Sequence, residues 1–246
     1  MGSRMPGALT WLARLYVWAT YRLYNELAWA YDLVSWLVSL GHWAGWRRMA
    51  LDYVAGQRIL EVGFGTGELL IEMARRGLKV YGLEQSPAMH RITARKMRRR
   101  GTRALCVRGL TQRAPFADGY FDSIVATFPA GYILDPATLR EVARLLRRPD
   151  PGTGARGGRF VVAGMLLETD SPFLRRVTRL VFGIPTENVL AWYERAATAA
   201  GLGVTVTGRS GRWVRVPVII SEPEERRTPA RYAVYVYGLE ARENGE

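Results

Sequence analysis

The feature that most constrains the fold is a short apolar segment that runs directly into three glycines at alternate positions. Its sequence is Ile59-Leu60-Glu61-Val62-Gly63-Phe64-Gly65-Thr66-Gly67. Residues 58–62 have the length and apolar content of a buried strand, and residues 68–76 have the pattern of a helix. Glycines between a strand and a helix let the backbone turn sharply and approach a ligand closely, and the first N–H groups of the helix face that ligand. The segment therefore predicts a ligand site at the turn of a strand–turn–helix unit.

Strands and helices alternate along the rest of the chain. Further strands are predicted at 79–83, 103–107, 121–127, 159–166, 204–207 and 231–237. Further helices are predicted at 87–100, 136–147 and 189–200. Such alternation produces a mostly parallel sheet covered by helices on both faces, and the last two strands, which no helix separates, form an antiparallel edge hairpin. We therefore predict an α/β fold with a doubly wound, mostly parallel seven-stranded sheet.

The N-terminal segment differs in composition from the rest of the chain. Six of the eight tryptophans lie in the first 46 residues. Apolar residues there recur at helical spacing, so that five share one face: Trp29, Leu33, Trp36, Leu40 and Trp43. We predict a helical cap at 1–50 and a domain at 51–246, with insertions at 167–186 and 209–230.

The glycine spacing and two carboxylates indicate which ligand the turn binds. Glu68 occupies the position where a dinucleotide-binding G-x-G-x-x-G fingerprint needs its third glycine. Glu61 would repel a pyrophosphate but would attract an amino group or a sulfonium. Glu84 follows Gly63 by 21 residues, where a carboxylate can bind both hydroxyls of a ribose. Taken singly, either glutamate is an ordinary polar residue at a strand end. Together they favour S-adenosylmethionine as the cofactor.

These motifs, with the run from Pro115 to Asp122, resemble those of the class I methyltransferases over about residues 45–165. The resemblance implies that the glycine loop holds the methionine part and that Glu84 holds the ribose. Leu110 stands where the family often has an aspartate on the adenine amino group. A backbone contact near Thr111 or the side chain of Gln112 must then serve instead, or the affinity for adenine is lower. The expected cofactor-binding residues are Glu61, Gly63, Phe64, Gly65, Thr66, Gly67, Glu84, Gln85, Leu110, Thr111 and Thr127.

Three short N-terminal runs are similar to the N-terminal segment of the quinone-biosynthesis and related small-molecule methyltransferases. They are Tyr31-Asp32-Leu33, Leu40-Gly41-His42 and Trp46-Arg47-Arg48. The resemblance implies that this region caps the cofactor and shapes an apolar pocket. His42 is then the first candidate for a general base, and Tyr31 and Tyr132 for pocket-lining catalytic residues. A histidine facing solvent or core, and tyrosines that only pack, are the alternatives.

The charge of the chain bears on its partners. Lysine and arginine number 35 against 22 acidic residues, which gives a formal net charge of +13. A basic surface favours anionic partners such as nucleic acid, lipid headgroups or acidic small molecules. The alternative is that the charge only reflects a solvated, arginine-rich surface that binds no partner. Residues 91–103, which include most of the predicted helix 87–100, carry seven basic residues that could bind phosphates, with a solvated helix face as the alternative. Residues 173–182 with the N-terminal segment resemble an interfacial helix pair, with a packed lid as the alternative. Residues 33–46 are uncharged but too few to span a bilayer. The chain has one cysteine and two histidines, so we predict no metal site.

We expect an enzyme that methylates a small, largely apolar or lipid-like acceptor, with 1–50 and 167–186 as its lid. It is expected in the cytoplasm, with peripheral contact at the inner membrane face left open. The alternatives are an RNA methyltransferase, which charge alone favours, and a scaffold that binds the cofactor without catalysis.

Overall fold

The computed structural model of the chain describes residues 41–165, 186–210 and 215–223, together with Arg22. Most of the predicted cap, including Tyr31, lies outside the described residues. So do residues 167–185 of the first predicted insertion and the predicted strand 231–237.

The described part alternates strands and helices along the chain. The strands are β1 (Arg58–Val62), β2 (Lys79–Glu84), β3 (Leu105–Arg108), β4 (Ser123–Thr127), β5 (Arg159–Ala163), β6 (Leu202–Ser210) and β7 (Arg215–Pro223). The α-helices are α1 (Trp43–Arg48), α2 (Glu68–Arg75), α3 (Pro87–Arg100), α4 (Pro136–Leu145) and α5 (Thr186–Ala199). Short 3-10 helices span Met49–Tyr53, Thr111–Arg113 and Gly131–Leu134.

The strands form one seven-stranded sheet in the order β3-β2-β1-β4-β5-β7-β6. The first five strands are parallel, and β7 runs antiparallel to both β5 and β6. This confirms the predicted doubly wound sheet and its antiparallel edge hairpin. The strand order reverses between β1 and β4, and ligands of such sheets bind at the carboxyl ends of the strands beside this switch point.

The segment that pairs with β6 is not the predicted one. Residues 215–223, inside the predicted insertion 209–230, form β7. It pairs with β6 along its whole length: Pro223 lies opposite Leu202 at one end, and Arg215 lies opposite Ser210 at the other. Pro217 weakened the strand signal of this run, because proline cannot donate a ladder hydrogen bond. In the structure Pro217 pairs only with Gly208 of β6 and lies one residue beyond the β5–β7 ladder, which ends at Val218.

Both faces of the sheet are buried under helices. Side chains alternate along β1, so Leu60 and Val62 pack on the face covered by α4 and α5. Ile59 packs on the opposite face with Leu70 and Met73 of α2. Glu61, two residues after Ile59, therefore lies on the α2 face and places a carboxyl group among apolar side chains.

Candidate active site

The turn after β1 is built from glycines in the left-handed region of backbone space. Gly63, Gly65 and Gly67 have φ of 67°, 52° and 75°, angles that L side chains rarely adopt. The Gly63 N–H donates to Leu83 O at 2.7 Å, and the Gly67 N–H donates to Phe64 O at 2.9 Å. The turn is thus fixed to β2 on one side and closed on itself on the other.

The three glycines have different surroundings. A Cβ on Gly63 would collide with the Tyr132 hydroxyl, and one on Gly67 would collide with Thr93. A Cβ on Gly65 would meet no atom within 4 Å. The Thr93 hydroxyl donates to Gly65 O at 2.9 Å and holds the turn from the α3 side. Gly65 therefore presents open space at the centre of the turn, which a ligand can approach closely.

Glu84 lies at the end of β2 beside this turn. It is 7% exposed. Its Oε2 accepts a hydrogen bond from the Gly65 N–H at 3.1 Å, and its Oε1 accepts one from the Ser86 N–H at 2.8 Å. A carboxylate oxygen has two lone pairs, so each oxygen keeps acceptor capacity for a ribose hydroxyl. The structure places Glu84 where the sequence predicted it, next to the glycine turn.

Glu61 is the most unusual ionisable group of the site. It is 2% exposed, and its Oε2 has no hydrogen-bond partner within the described part of the chain. Burial raises the pKa of Glu61 to about 8; the Arg47 guanidinium opposes the rise and Glu84 adds to it. The Leu70 N–H donates a hydrogen bond to this carboxyl group, so one of its two oxygens is left unsatisfied. A buried polar atom without a partner is costly, and such atoms mark binding or catalytic positions.

An opening lies over the turn at the carboxyl ends of β1 and β4. Its lining includes Glu61 and the glycine turn, together with two residues of α1 and one at the end of β4. The lining residues are Trp43, Arg47, Glu61, Gly63, Phe64, Gly65, Thr66, Leu69 and Thr127. Six of these, all but Trp43, Arg47 and Leu69, are among the residues expected to bind the cofactor.

The expected adenine side of the site lies after β3. Leu110 is 48% exposed, whereas Thr111 is buried at the start of a 3-10 helix. The Gln112 side chain donates to the Asp135 carboxylate at 3.0 Å, so its amide is engaged within the protein. A backbone contact near Thr111 is the better of the two expected replacements for the missing aspartate. Gln85, next to Glu84, is exposed.

The structure places two of the three catalytic candidates. Tyr132 lies in a 3-10 helix after β4, and its hydroxyl donates to Val62 O at 3.2 Å, against Gly63. His42 is exposed at the N-terminal end of α1, where its ring stacks with Trp46 at 6.0 Å between centroids. His42 does not line the opening. Their catalytic roles, and that of Tyr31, stay predictions.

An aromatic pair that the sequence analysis did not assign to the site stands beside the opening. The rings of Trp43 and Phe128 stack with 3.7 Å between centroids. Phe128 follows Thr127 at the end of β4 with φ of 47°, a left-handed conformation that costs a non-glycine residue energy. Strain of this kind clusters at binding sites. Arg47 was also missed, because no sequence spacing pairs a residue of α1 with Glu61.

These residues fit S-adenosylmethionine. The cofactor carries a cationic amino group and a sulfonium. Glu61, a buried carboxyl group with one unsatisfied oxygen, and Glu84, a second buried carboxylate, complement these charges. The open face of Gly65 lets the ligand approach the backbone, and Glu84 retains acceptors for ribose hydroxyls. A dinucleotide would instead bring a pyrophosphate against Glu61, which is unfavourable.

Comparison with known proteins agrees with this fit. Residues 59–149 match the family described as methyltransferase domain. Demethylmenaquinone methyltransferase of Thermus thermophilus is 34% identical over 146 residues, 57% of this chain and 63% of that protein. The enzyme of the same name from Mycolicibacterium paratuberculosis is 30% identical over 205 residues, 74% of this chain and 83% of that protein. The match thus spans less than two thirds of the Thermus protein but most of the mycobacterial one.

Solved structures share the fold at low identity. A geranyl diphosphate methyltransferase in complex with GPP and sinefungin superposes with a TM-score of 0.53 and 16% identity over 73% of this chain and 78% of that one. The geranyl diphosphate C-methyltransferase of Streptomyces coelicolor, solved with S-adenosyl-L-homocysteine, gives a TM-score of 0.52 and 13% identity over 74% and 77%. The same assignment follows from the glycine turn with its two carboxylates, from the strand order and from the similarity to the mycobacterial protein. The chain belongs to the class I S-adenosylmethionine-dependent methyltransferases.

Proposed function

We propose that this chain transfers a methyl group from S-adenosylmethionine to a small, largely apolar aromatic acceptor of the quinone type. Two relatives that carry the name demethylmenaquinone methyltransferase support the acceptor class. The structural observation that carries the proposal is the stacked pair Trp43–Phe128 beside the opening. Aromatic side chains bind flat apolar rings through large buried area and ring–ring contacts.

The position of this pair relative to the cofactor turn supports the same acceptor. Trp43 and Thr127 line the opening together with Gly63 and Gly65, and Phe128 directly follows Thr127. The Phe128 ring packs on Gly164, where a Cβ would collide with it, and its N–H donates to Ala163 O at 2.8 Å. The strained residue is thus held in place, and its ring supports Trp43, the member of the pair that lines the opening, as a rigid wall for the acceptor.

The cofactor supplies an activated methyl group on its sulfonium, so the protein need only bind, orient and exclude water. Glu84 and the turn around Gly65 would hold the nucleoside, and Glu61 would complement the cationic amino-acid part. Trp43 and Phe128 orient the acceptor ring at the carboxyl ends of β1 and β4. Tyr132 buttresses the turn through its hydrogen bond to Val62 O.

The acceptor must donate electrons, because the methyl group leaves the sulfonium as an electrophile. A quinone ring is electron-poor, whereas its two-electron reduced hydroquinone is electron-rich. The proposed substrate is therefore the reduced form. After methylation at a ring carbon the acceptor loses the proton from that carbon, and His42 and Tyr132 remain the candidates for receiving it.

The test is methyl transfer to a short-chain demethylated naphthoquinone, followed by mass spectrometry. We expect a mass gain of one methylene with the dithionite-reduced acceptor and none with the oxidised one. Phe128→Leu should raise the acceptor KM about 3- to 10-fold through the lost ring stacking, without changing cofactor affinity. Leu105→Ala, a change at an exposed leucine of β3, is the matched control and should match the wild type. Absence of product with every reduced acceptor would refute the proposal.

Helix α3 favours the RNA methyltransferase alternative. Its exposed arginines include Arg91, Arg95, Arg98 and Arg99, while Lys96 and Arg100 are paired with Glu68. Electrostatic binding to RNA would weaken steeply with salt, and methylated RNA would appear in the same assay.

Cofactor binding without turnover on any acceptor would favour the scaffold alternative. Contact with a membrane surface stays a prediction that vesicle co-sedimentation tests. Among the described helices none has both the length and the apolar character needed to cross a bilayer.

A further inference from the structure

The positive charge of the chain is concentrated in one stretch of the sequence. Residues 85–117 contain nine basic residues and no acidic one. They form α3, the strand β3 and the 3-10 helix at Thr111–Arg113. Because β3 is the last strand of the sheet on this side, and α3 packs on β2 and β3, the stretch covers one edge of the domain. We name residues 85–117 the arginine edge.

Most of the charge on the arginine edge is not neutralised by the protein itself. Two of the nine basic residues, Lys96 and Arg100, pair with Glu68 of α2. Six arginines elsewhere in the described part also form ion pairs with carboxylates. The other seven residues of the edge are exposed and form no ion pair with any described residue. They are Arg91, Arg95, Arg98, Arg99, Arg103, Arg108 and Arg113.

The arginines of α3 share one side of the helix. Arg91, Arg95 and Arg98 follow one another at positions i, i+4 and i+7, opposite the buried side chains of Met89 and Thr93. From Arg91 to Arg98 this row runs about 10 Å along the helix axis. A row of this length presents several guanidinium groups to one anionic surface at the same time.

Two exposed leucines lie on the same edge. Leu105 in β3 is 58% exposed, and Leu110 after β3 is 48% exposed. No other large apolar side chain of the described residues is exposed. Arg103 and Arg108 flank Leu105 in the sequence, and Arg108 and Arg113 flank Leu110. The arginine edge therefore combines unpaired positive charge with the exposed apolar side chains of the described part.

This combination fits an anionic bilayer better than a nucleic acid. At a bilayer, arginines bind the phosphates of the headgroups while apolar side chains enter the boundary of the acyl chains. Proteins that bind single-stranded RNA add aromatic side chains that stack on the bases, and none of the exposed side chains of residues 85–117 is aromatic. We propose that the arginine edge binds an anionic lipid bilayer, whose phosphates the exposed arginines contact while Leu105 enters the acyl boundary.

The arginine edge lies close to the opening over the glycine turn. Strands β1 to β5 are parallel, so Leu110, after the carboxyl end of β3, lies at the same end of the sheet as the opening. In the sheet β1 is two strands from β3, which is about 10 Å at the spacing of paired strands. A bilayer on this edge holds the opening beside the phase in which a lipid-like acceptor dissolves. This last step rests on the proposed function, whereas the lipid contact holds for any acceptor.

Co-sedimentation with lipid vesicles tests the arginines. The wild type should bind vesicles of equal parts phosphatidylglycerol and phosphatidylcholine, and it should not bind vesicles of phosphatidylcholine alone. The triple variant Arg95→Gln, Arg98→Gln, Arg99→Gln should bind the anionic vesicles about 100-fold more weakly, since each arginine at such a surface contributes about 5-fold. Its urea midpoint should not change, because the three side chains are exposed and form no ion pair with described residues.

A second triple variant is the matched control. Arg140→Gln, Arg148→Gln, Arg156→Gln removes the same charge from exposed arginines outside the arginine edge. This protein should bind the anionic vesicles like the wild type. Equal weakening in the two triple variants would overturn the proposal, because the net charge would then be responsible. Unchanged binding in the first variant would also overturn it.

Leu105→Ala distinguishes a bilayer from a nucleic acid. It should weaken binding to the anionic vesicles about 3- to 10-fold through lost apolar contact. It should leave the binding of single-stranded polyuridylic acid unchanged, because no charge is lost. If the wild type binds the RNA more tightly than the vesicles at the same salt concentration, and Leu105→Ala binds the vesicles like the wild type, the edge is a nucleic-acid surface and the proposal is wrong.

These outcomes are separable from those of the acceptor assay, which uses a short-chain acceptor and no vesicles. A protein that methylates the reduced acceptor but does not bind anionic vesicles would refute this inference and leave the proposed acceptor intact. A protein that binds the vesicles through the arginine edge and methylates no quinol would do the reverse.

Discussion

The Glu84 carboxylate accepts a hydrogen bond from the Gly65 N–H at 3.1 Å, which ties the end of β2 to the turn after β1. The second Glu84 oxygen accepts from the Ser86 N–H at the start of α3. One carboxylate thus fixes the nucleoside side of the site and the entry of the next helix. This arrangement explains why the acid must stand at the end of β2, and why the glycine turn must lie beside it.

Glu84→Gln should weaken the binding of S-adenosylhomocysteine about 10- to 100-fold. The amide keeps one acceptor oxygen but replaces the other oxygen with an NH2 group. This group faces a backbone N–H, which is also a donor, and it cannot accept a hydrogen bond from a ribose hydroxyl. Titration calorimetry measures the change. Glu72→Gln, at a surface glutamate paired with Arg48 and Arg76, is the control and should bind normally. Unchanged affinity in Glu84→Gln would remove this residue from the site.

Alanine at two glycines of the turn should separate binding from folding. Gly65→Ala places its methyl group in open space, so it should cost about 1–2 kcal/mol of stability for the left-handed backbone and obstruct the cofactor. Gly67→Ala collides with Thr93 as well, so its stability loss should be clearly larger.

Urea unfolding and calorimetry on both proteins check this pair. Gly65→Ala should remain folded with strongly reduced cofactor affinity. A Gly65→Ala protein that binds the cofactor like the wild type would show that the ligand does not approach this point of the turn.

How far the sequence determined the fold is visible in the contrast between β1 and β2 on one hand and β7 on the other. Around β1 and β2 the local signals agree, because glycine spacing, strand length and strand-end acids all follow from short-range sequence. The last strand depended instead on pairing between distant residues. Val218 and Ile219 pair with β5 in a run that Pro217 interrupts, and the alternating pattern at 231–237 competed with it. The same limit applies to the site, since Arg47 meets Glu61, and Trp43 meets Phe128, through tertiary packing alone.

The stability of the cofactor-free protein should depend on Glu61 between pH 5 and pH 8. Burial raises the pKa of Glu61 from 4.5 to about 8, so the folded state binds this proton more tightly than the unfolded state. The contribution of the protonated group is fully present below pH 4.5 and is lost as the pH rises towards 8.

Glu61→Gln should therefore be as stable as the wild type at pH 5 and more stable at pH 8.5, by roughly 1–3 kcal/mol. Urea unfolding without cofactor at the two pH values measures this difference. A variant that is equally or less stable than the wild type at pH 8.5 would mean that Glu61 is already ionised in the folded protein.

Tyr193 and Ser221 connect α5 to β7 by a hydrogen bond of 2.9 Å between two fully buried hydroxyls. Tyr193→Phe leaves the serine unpaired and should cost about 1–3 kcal/mol. The double change Tyr193→Phe with Ser221→Ala removes both polar groups, so it should cost less than the sum of the single changes. Additive losses in urea unfolding would show that the two hydroxyls do not depend on each other.

The central claim is that a glycine turn framed by Glu61 and Glu84 binds a sulfonium nucleoside. Titration calorimetry of the purified protein with S-adenosylmethionine, S-adenosylhomocysteine and NADH tests it most directly. The account predicts one saturable site for the first two ligands and no measurable heat for NADH. Binding of NADH, with none of the adenosyl ligands, would contradict it.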